Sequence, residues 1–179
     1  KAETYHSLAN VKELITRSDV YIITLGLTEA WYDLEERKYL WKFVPNRKLD
    51  PKRFVSRSVT YAENISNIEA IYSLIRGARP DAHVIFTLSP IPLLGTYSGK
   101  GTVCANAFSK ATLRAALGEF IRQYERDEKL FYFPSYEIIH SPTSRGIFFK
   151  PNQRQVERSG VDFVLSHFLS SFGNDDRQQ

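Results

Sequence analysis

Two short apolar runs constrain this chain more than any other feature in it. Residues 20–26 read VYIITLG, with Asp19 and Gly26 as boundaries, and His83–Leu88 reads HVIFTL. Both are rich in β-branched residues and show no alternation of polar and apolar positions. A run of this kind is a strand buried on both faces, which is the mark of a parallel sheet. Leu130–Phe133 (LFYF) is a third, shorter strand. Helical periodicities separate the strands. Leu8, Val11 and Ile15 mark one within 4–17, and Tyr61, Ile65, Ile68, Tyr72 and Ile75 a second that Gly77 and Pro80 close. Leu113, Leu117, Phe120, Ile121 and Tyr124 form the inward stripe of a helix over 105–126. Val161, Val164, Leu165, Phe168, Leu169 and Phe172 form that of the last helix.

Strands alternating with helices imply an α/β chain with right-handed crossovers. At 179 residues it fits one domain, spanning 1–172, with a fraying tail at 173–179. Residues 27–60 are long for an unstructured connection, so an ordered excursion is expected there, with a hairpin near 39–44. Residues 134–155 read as loop. In open parallel sheets ligands bind beyond the carboxyl ends of the strands. Residues 26–31, 89–102 and 134–155 should therefore converge on one site.

Composition excludes several classes. A single Cys rules out a disulfide framework within the chain and a cysteine zinc site. The net charge is +4, but Asp and Glu lie among the Lys and Arg, so the one-sided basic patch of a nucleic-acid binder is missing. No apolar run reaches the length of a membrane span, and KAETYHSLAN has no signal-peptide pattern, so a cytoplasmic location is expected. The segment GTYSGKGT at 95–102 fails as a phosphate loop: three residues separate Gly95 from Gly99-Lys100 where four are needed. A phosphate- or CoA-binding site around Lys100 is the weakest reading, and neither cofactor nor metal is expected.

The candidate residues each have a plain alternative. Glu29, in LGLTEAW, is an acid, base or substrate anchor, or else lies in the first turn of a helix capped by Thr28. Ser89 is held extended by Pro90 and presents its hydroxyl, or merely fixes a turn. Asn106 caps a helix or turns its amide to a ligand. Cys104, near a helix start, is a nucleophile or a small apolar residue. Glu137 and His140 are placed to meet on one helical turn, or belong to a surface loop. Asn64-Ile65-Ser66 matches a glycosylation sequon but falls inside a helix. No nucleophile elbow, zinc-binding His pair or dinucleotide fingerprint is present.

Four segments in order, TLGLTEAWYD, TLSPIPLLGTY, ANAFSKATLRAAL and YFPSYEI, resemble the GSCFA domain, which is grouped with the SGNH/GDSL hydrolases. The resemblance covers about residues 19–172. It implies a three-layer α/β/α sandwich with a parallel sheet of flavodoxin-like topology. It also implies hydrolysis or transfer of an ester-linked acyl group, often on glycans in bacterial surface-polysaccharide pathways. The family's Gly-Ser-Cys-Phe-Ala segment is absent, so the chain reads as the C-terminal portion of such a domain, lacking its first strands, nucleophile and oxyanion glycine. The terminal Asp-x-x-His falls on Asn152-Gln153-Arg154-Gln155, where neither Asn152 nor Gln155 is a base. The Gly-x-Asn-Asp block falls loosely on Gly26-Leu27-Thr28-Glu29. The expected catalytic residues are Glu29, Ser89, Asn106 and His140. Gly26, Thr28, Trp31, Lys110, Asn152 and Gln155 are expected to contact an acylated carbohydrate or other ester. The alternative is a non-catalytic glycan- or partner-binding domain. Without its first strands, the uncharged strand at 20–26 is an unguarded edge expected to self-associate.

Overall fold

The computed structural model describes residues 13, 15–40 and 49–173. In chain order the strands and helices are β1 (Val20–Leu25), β2 (Glu29–Asp33), β3 (Lys38–Leu40), β4 (Phe54–Ser58) and α1 (Tyr61–Ala78), then β5 (His83–Leu88), α2 (Thr102–Gln123), β6 (Leu130–Phe133), α3 (Ser135–His140) and α4 (Arg158–Phe172). The three apolar runs form one parallel sheet in the order β1-β5-β6. Val20 stands opposite His83 and Leu25 opposite Leu88, while Val84 to Thr87 align with Leu130 to Phe133. Every residue of β5 after His83 is buried, as a continuous apolar run in a central strand requires.

Helices lie on both faces of this sheet. On one, Ile68, Tyr72 and Ile75 of α1 and Leu113, Leu117 and Phe120 of α2 pack with Val84, Phe86, Leu88 and Leu130. Tyr21, Ile23 and Leu25 of β1 border that core. On the other, α4 sets Phe168 edge-on to Phe133 at 5.1 Å and Phe172 edge-on to Phe131 at 5.4 Å. The domain is thus an α/β/α arrangement around a three-stranded parallel sheet.

The excursion after β1 differs from expectation. It is a second, antiparallel sheet in the order β3-β2-β4. Its hairpin turns between Asp33 and Lys38, earlier than the one expected near 39–44, of which residues 41–44 lie outside the described residues. The turn is made by Asp33, whose Oδ1 accepts from the Glu35 and Glu36 N–H groups, and by Arg37 in the left-handed region at φ 51°. Arg53 clamps the same carboxylate with Nε and Nη2. Thr28 therefore caps no helix, and Glu29 begins a strand. Glu63 docks this sheet to the start of α1. It closes a capping box with Thr60 and accepts from Arg57 of β4 and Tyr39 of β3. The Thr60 N–H and hydroxyl, with those neighbours, hold the Glu63 carboxyl down at about 2.

Other differences are smaller. Residues 13 and 15–17 are helical, but Leu8 and Val11 of the first expected helix lie outside the described residues. Helix α2 starts three residues before the expected position, because Gly101 serves as its N-cap. The segment expected as loop over 134–155 holds α3, a 3-10 turn at Pro142–Ser144 and a Phe149–Val156 bridge. Of the inward stripe expected for α4, Val164, Phe168 and Phe172 are half-buried. Val161, Leu165 and Leu169 are exposed, because no described strand or helix lies beside β1 to cover them. Val161 and Leu165 border an apolar groove with Ile22, Ile91 and Phe133.

Strand β1 is an edge among the described residues. Asp19 and Leu25 turn their carbonyls to β5, so the alternate residues Val20, Ile22 and Thr24 turn their backbone groups outward. Val20 and Ile22 are 49% and 53% exposed, and neither charge nor proline guards the strand. The chain alone should sediment as a dimer or larger species, and Ile22→Lys should shift it toward monomer. A monodisperse wild-type monomer in sedimentation velocity would show that this edge is already paired.

Candidate functional site

The strand ends are fixed by buried polar side chains rather than by sheet hydrogen bonds. Lys110, on α2, is 1% exposed, and its Nζ donates to the carbonyls of Gly26 at 2.8 Å and Ser89 at 2.7 Å. It joins the residue after β1 to the residue after β5. Next to it, Ser109 Oγ accepts from the Thr28 N–H at 2.7 Å, and Thr28 Oγ1 pairs with Ser58 Oγ. Ser135 donates from Oγ to the Leu88 carbonyl, while Thr87 donates to that of Phe133. Apart from the Thr28–Ser58 pair, each contact satisfies a backbone group at or just beyond a strand end. Burial pushes the Lys110 ammonium down to about 8. The amine left after deprotonation still has two N–H groups, one for each carbonyl.

Besides the apolar groove, two cavities with polar linings open at this end among the described residues. The larger, about 550 Å³, is walled by the loop at Pro92, Leu93 and Leu94, the start of α2, the end of α3 and the turn 152–154. Asn106, His140 and Asn152 line it together. Asn106 caps nothing. Its Oδ1 accepts from the Leu93 N–H at 3.1 Å, so its NH2 group is the amide's remaining donor in the cavity. His140 Nε2 lies 2.9 Å from the Pro90 carbonyl. A carbonyl only accepts, so Nε2 carries a proton, and in the neutral ring Nδ1 is then the nitrogen with the lone pair. The ring is held between Tyr136 and Phe149, at 4.5 and 5.1 Å. Asn152 Oδ1 accepts from the N–H groups of Arg154 and Gln155, and its Nδ2 donates to Gln155 Oε1 at 3.3 Å. Gln155 itself does not line the cavity.

The smaller cavity, about 110 Å³, is lined by Thr28, Glu29, Arg57, Lys100 and Ser109 among others. Glu29 is fully engaged there. Its Oε1 accepts from the Tyr97 N–H and Ser56 hydroxyl, and its Oε2 from the Thr96 hydroxyl at 2.6 Å. Trp31 is buried edge-on to Tyr97 at 5.0 Å. Both residues tie the loop after β5 to the antiparallel sheet.

Glu29 and Asn106 thus sit at the same end of the parallel sheet but in separate cavities. Gly26 meets Lys110 through its carbonyl, and Lys110 faces inward. Ser89 lines neither cavity, and its Oγ accepts from the Ile91 N–H, fixing the turn at Pro90. Glu137 bonds Arg114 and Tyr132 rather than His140. Ser144 lines the larger cavity, but its hydroxyl donates back to the carbonyls of Ile139 and Ser141. Cys104 is exposed. Among the described residues no hydroxyl or thiol is hydrogen-bonded to His140, and no cluster of three or more His, Cys, Asp or Glu could hold a metal. Gln153 and Arg154, also in the larger cavity, were not candidates in the sequence. The signal for them was their position inside the Asn152–Gln155 quartet.

Fold and site define an α/β domain whose cavity lies beyond the carboxyl ends of a parallel sheet and is lined by amides, an imidazole and a guanidinium. The chain belongs to the GSCFA family, whose profile matches residues 1–168. None of the curated proteins searched matches it.

The Lys110 contacts give a pH signature. Between about pH 8 and the ordinary lysine value of 10.5, the unfolded chain holds a proton that the folded chain has released. Stability therefore rises with pH through that window and is lost again as pH falls toward 8. The gain is on the order of 3 kcal/mol at the top of the window. Urea unfolding of wild type and Lys110→Met at pH 7.5, 9 and 10 should show a stability difference that widens with pH. Parallel curves would mean that Lys110 stays protonated.

Proposed function

We propose that this GSCFA domain binds an acylated carbohydrate, or another oxygen-rich ester, in the larger cavity and acts there as a binding module. The carrying observation is the hydrogen-bonded Asn152–Gln155 pair beside a cavity whose other polar groups include the Asn106 amide and His140. Amide and imidazole donors suit the carbonyl and hydroxyl oxygens of an acylated sugar. An Asn–Gln pair offers hydrogen bonds but has no basic group for proton transfer. A chain with a single cysteine is compatible with a reducing, cytoplasmic setting.

His140 supports a second reading, an SGNH-like acyl-ester hydrolase or acyltransferase. With Nε2–H fixed on the Pro90 carbonyl, Nδ1 is free to take a proton from a water or alcohol attacking the ester carbonyl. The Asn106 NH2 would stabilise the tetrahedral oxyanion. Collapse would then expel the alcohol, which takes the proton back from His140. The same chemistry with a sugar hydroxyl as attacking group is acyl transfer.

One pair of measurements separates the readings. Calorimetric titration with O-acetylated methyl glucoside should show binding that Asn106→Leu weakens by about tenfold, the loss of one buried hydrogen bond. Hydrolysis of p-nitrophenyl acetate should not exceed that of a denatured control. A rate above background that His140→Ala abolishes would establish the hydrolase. Abolition by Ser89→Ala would assign the nucleophile to Ser89. Absence of binding to any acylated sugar would remove the proposal.

A further inference from the structure

Arg154 stands out among the cations of this chain. It lines the 550 Å³ cavity. Its Nε is buried and has no hydrogen-bond partner, the one side-chain nitrogen or oxygen among the described residues in that condition. Several other arginines are ion-paired: Arg53 with Asp33, Arg57 with Glu63, Arg76 with Asp127 and Arg114 with Glu137. Neither Asp nor Glu appears among the residues that wall the cavity.

A guanidinium partly withdrawn from water without an acid beside it is an uncompensated charge. The fold holds it in that position. Asn152 Oδ1 accepts from the Arg154 N–H and fixes the turn, with Gln153 in the left-handed region at φ 54°. On the facing wall, Thr102 and Val103 begin the 22-residue α2, whose Gly101 cap contributes no side-chain oxygen. The positive end of that helix adds to the same potential. The other polar side chains of the cavity, Thr102, Asn106, His140, Ser144, Asn152 and Gln153, are not acids, so Arg154 has no competing carboxylate there.

We infer that the ligand of this cavity carries an oxyanion, a sugar carboxylate or sugar phosphate, which pairs with the Arg154 guanidinium. This rests on the proposed binding of an acylated carbohydrate and narrows it to an acidic one. The planar fork of an arginine matches a carboxylate or phosphate with two parallel hydrogen bonds. The acyl group and sugar hydroxyls then face Asn106 and His140, and Arg154 selects the charge.

Calorimetric titrations with O-acetylated methyl glucuronide, O-acetylated methyl glucoside, unacetylated methyl glucuronide and glucose 6-phosphate test this on wild type, Arg154→Gln and Arg154→Lys. The acetylated glucuronide should bind about tenfold more tightly than the neutral glucoside, as one charge-assisted hydrogen bond predicts. A preference for glucose 6-phosphate instead would assign the oxyanion to phosphate. Arg154→Gln should remove the preference, so that acidic and neutral esters bind alike, while Arg154→Lys keeps part of it. Since the substitution removes an uncompensated charge, Arg154→Gln should melt at or above the wild-type temperature. Equal binding of acidic and neutral esters would overturn the inference and spare the ester-binding proposal. Equal binding of acetylated and unacetylated glucuronide, both dependent on Arg154, would do the reverse. A fall in melting temperature of more than about 5 °C in Arg154→Gln would show a structural role for the guanidinium and overturn the inference.

Discussion

The Lys110 ammonium sits where β1 and β5 end, and donates to one carbonyl from each. Parallel strands leave such carbonyls unpaired when their chains diverge, and a buried unpaired carbonyl costs on the order of 1–3 kcal/mol. One side chain resolves two of them and sets where the following segments leave. From Gly26 the chain turns into the antiparallel sheet. From Ser89 it runs through Pro90, Ile91 and Pro92 along the larger cavity and back to α2, which carries Lys110 itself. The Pro90 carbonyl that orients His140 is one residue beyond the Ser89 carbonyl that Lys110 holds. The position of the imidazole therefore depends on the buried lysine, although the two side chains share no contact.

That arrangement divides the carboxyl end of the sheet in two. Glu29 spends its carboxylate on the loop at Thr96 and Tyr97, and with Trp31 fastens it over the antiparallel sheet. Asn106, three helix residues after Val103, faces the other side and holds the Leu93 N–H. The loop at 89–102 is thus pinned from both flanks and acts as the partition. Both oxygens of that carboxylate are taken up by the loop and by Ser56, and they line the smaller cavity rather than the larger one. The chemistry open to the larger cavity is that of its own lining.

Much of the parallel sheet was legible because its strands are short apolar runs, although only β5 is buried on both faces, and β1, expected to be so too, is half-exposed because nothing described pairs with its outer side. VYIITL, HVIFTL and LFYF all fall where the sequence places them. The antiparallel sheet was not. EAWYD alternates only weakly, and its decisive inward residue, Asp33, is a charge whose burial depends on Arg53 twenty positions away. Nothing local announces that pairing. The stripe of α4 was read correctly as apolar but not as half-exposed, since burial depends on neighbours that no periodicity reports.

The site shows the same split. Asn106, His140 and Asn152 were singled out from different segments, and topology alone brings them to one cavity. Lys110 was singled out as well, but a sequence gives no direction to a lysine near a helix start. On this helix it points inward, where two carbonyls await a donor. Arg154 was passed over because a charged residue in a polar loop is ordinarily solvated. What distinguishes it among the described residues is a buried Nε with no hydrogen-bond partner, a property of the surroundings rather than of the residue. The Asn152–Gln155 pair points the same way. Two amides can hold the geometry of an acid and a base while withholding the proton transfer. A cavity with fixed donors, a cation and no carboxylate in its lining is one that the proposed acidic ligand would meet first through the charge of Arg154.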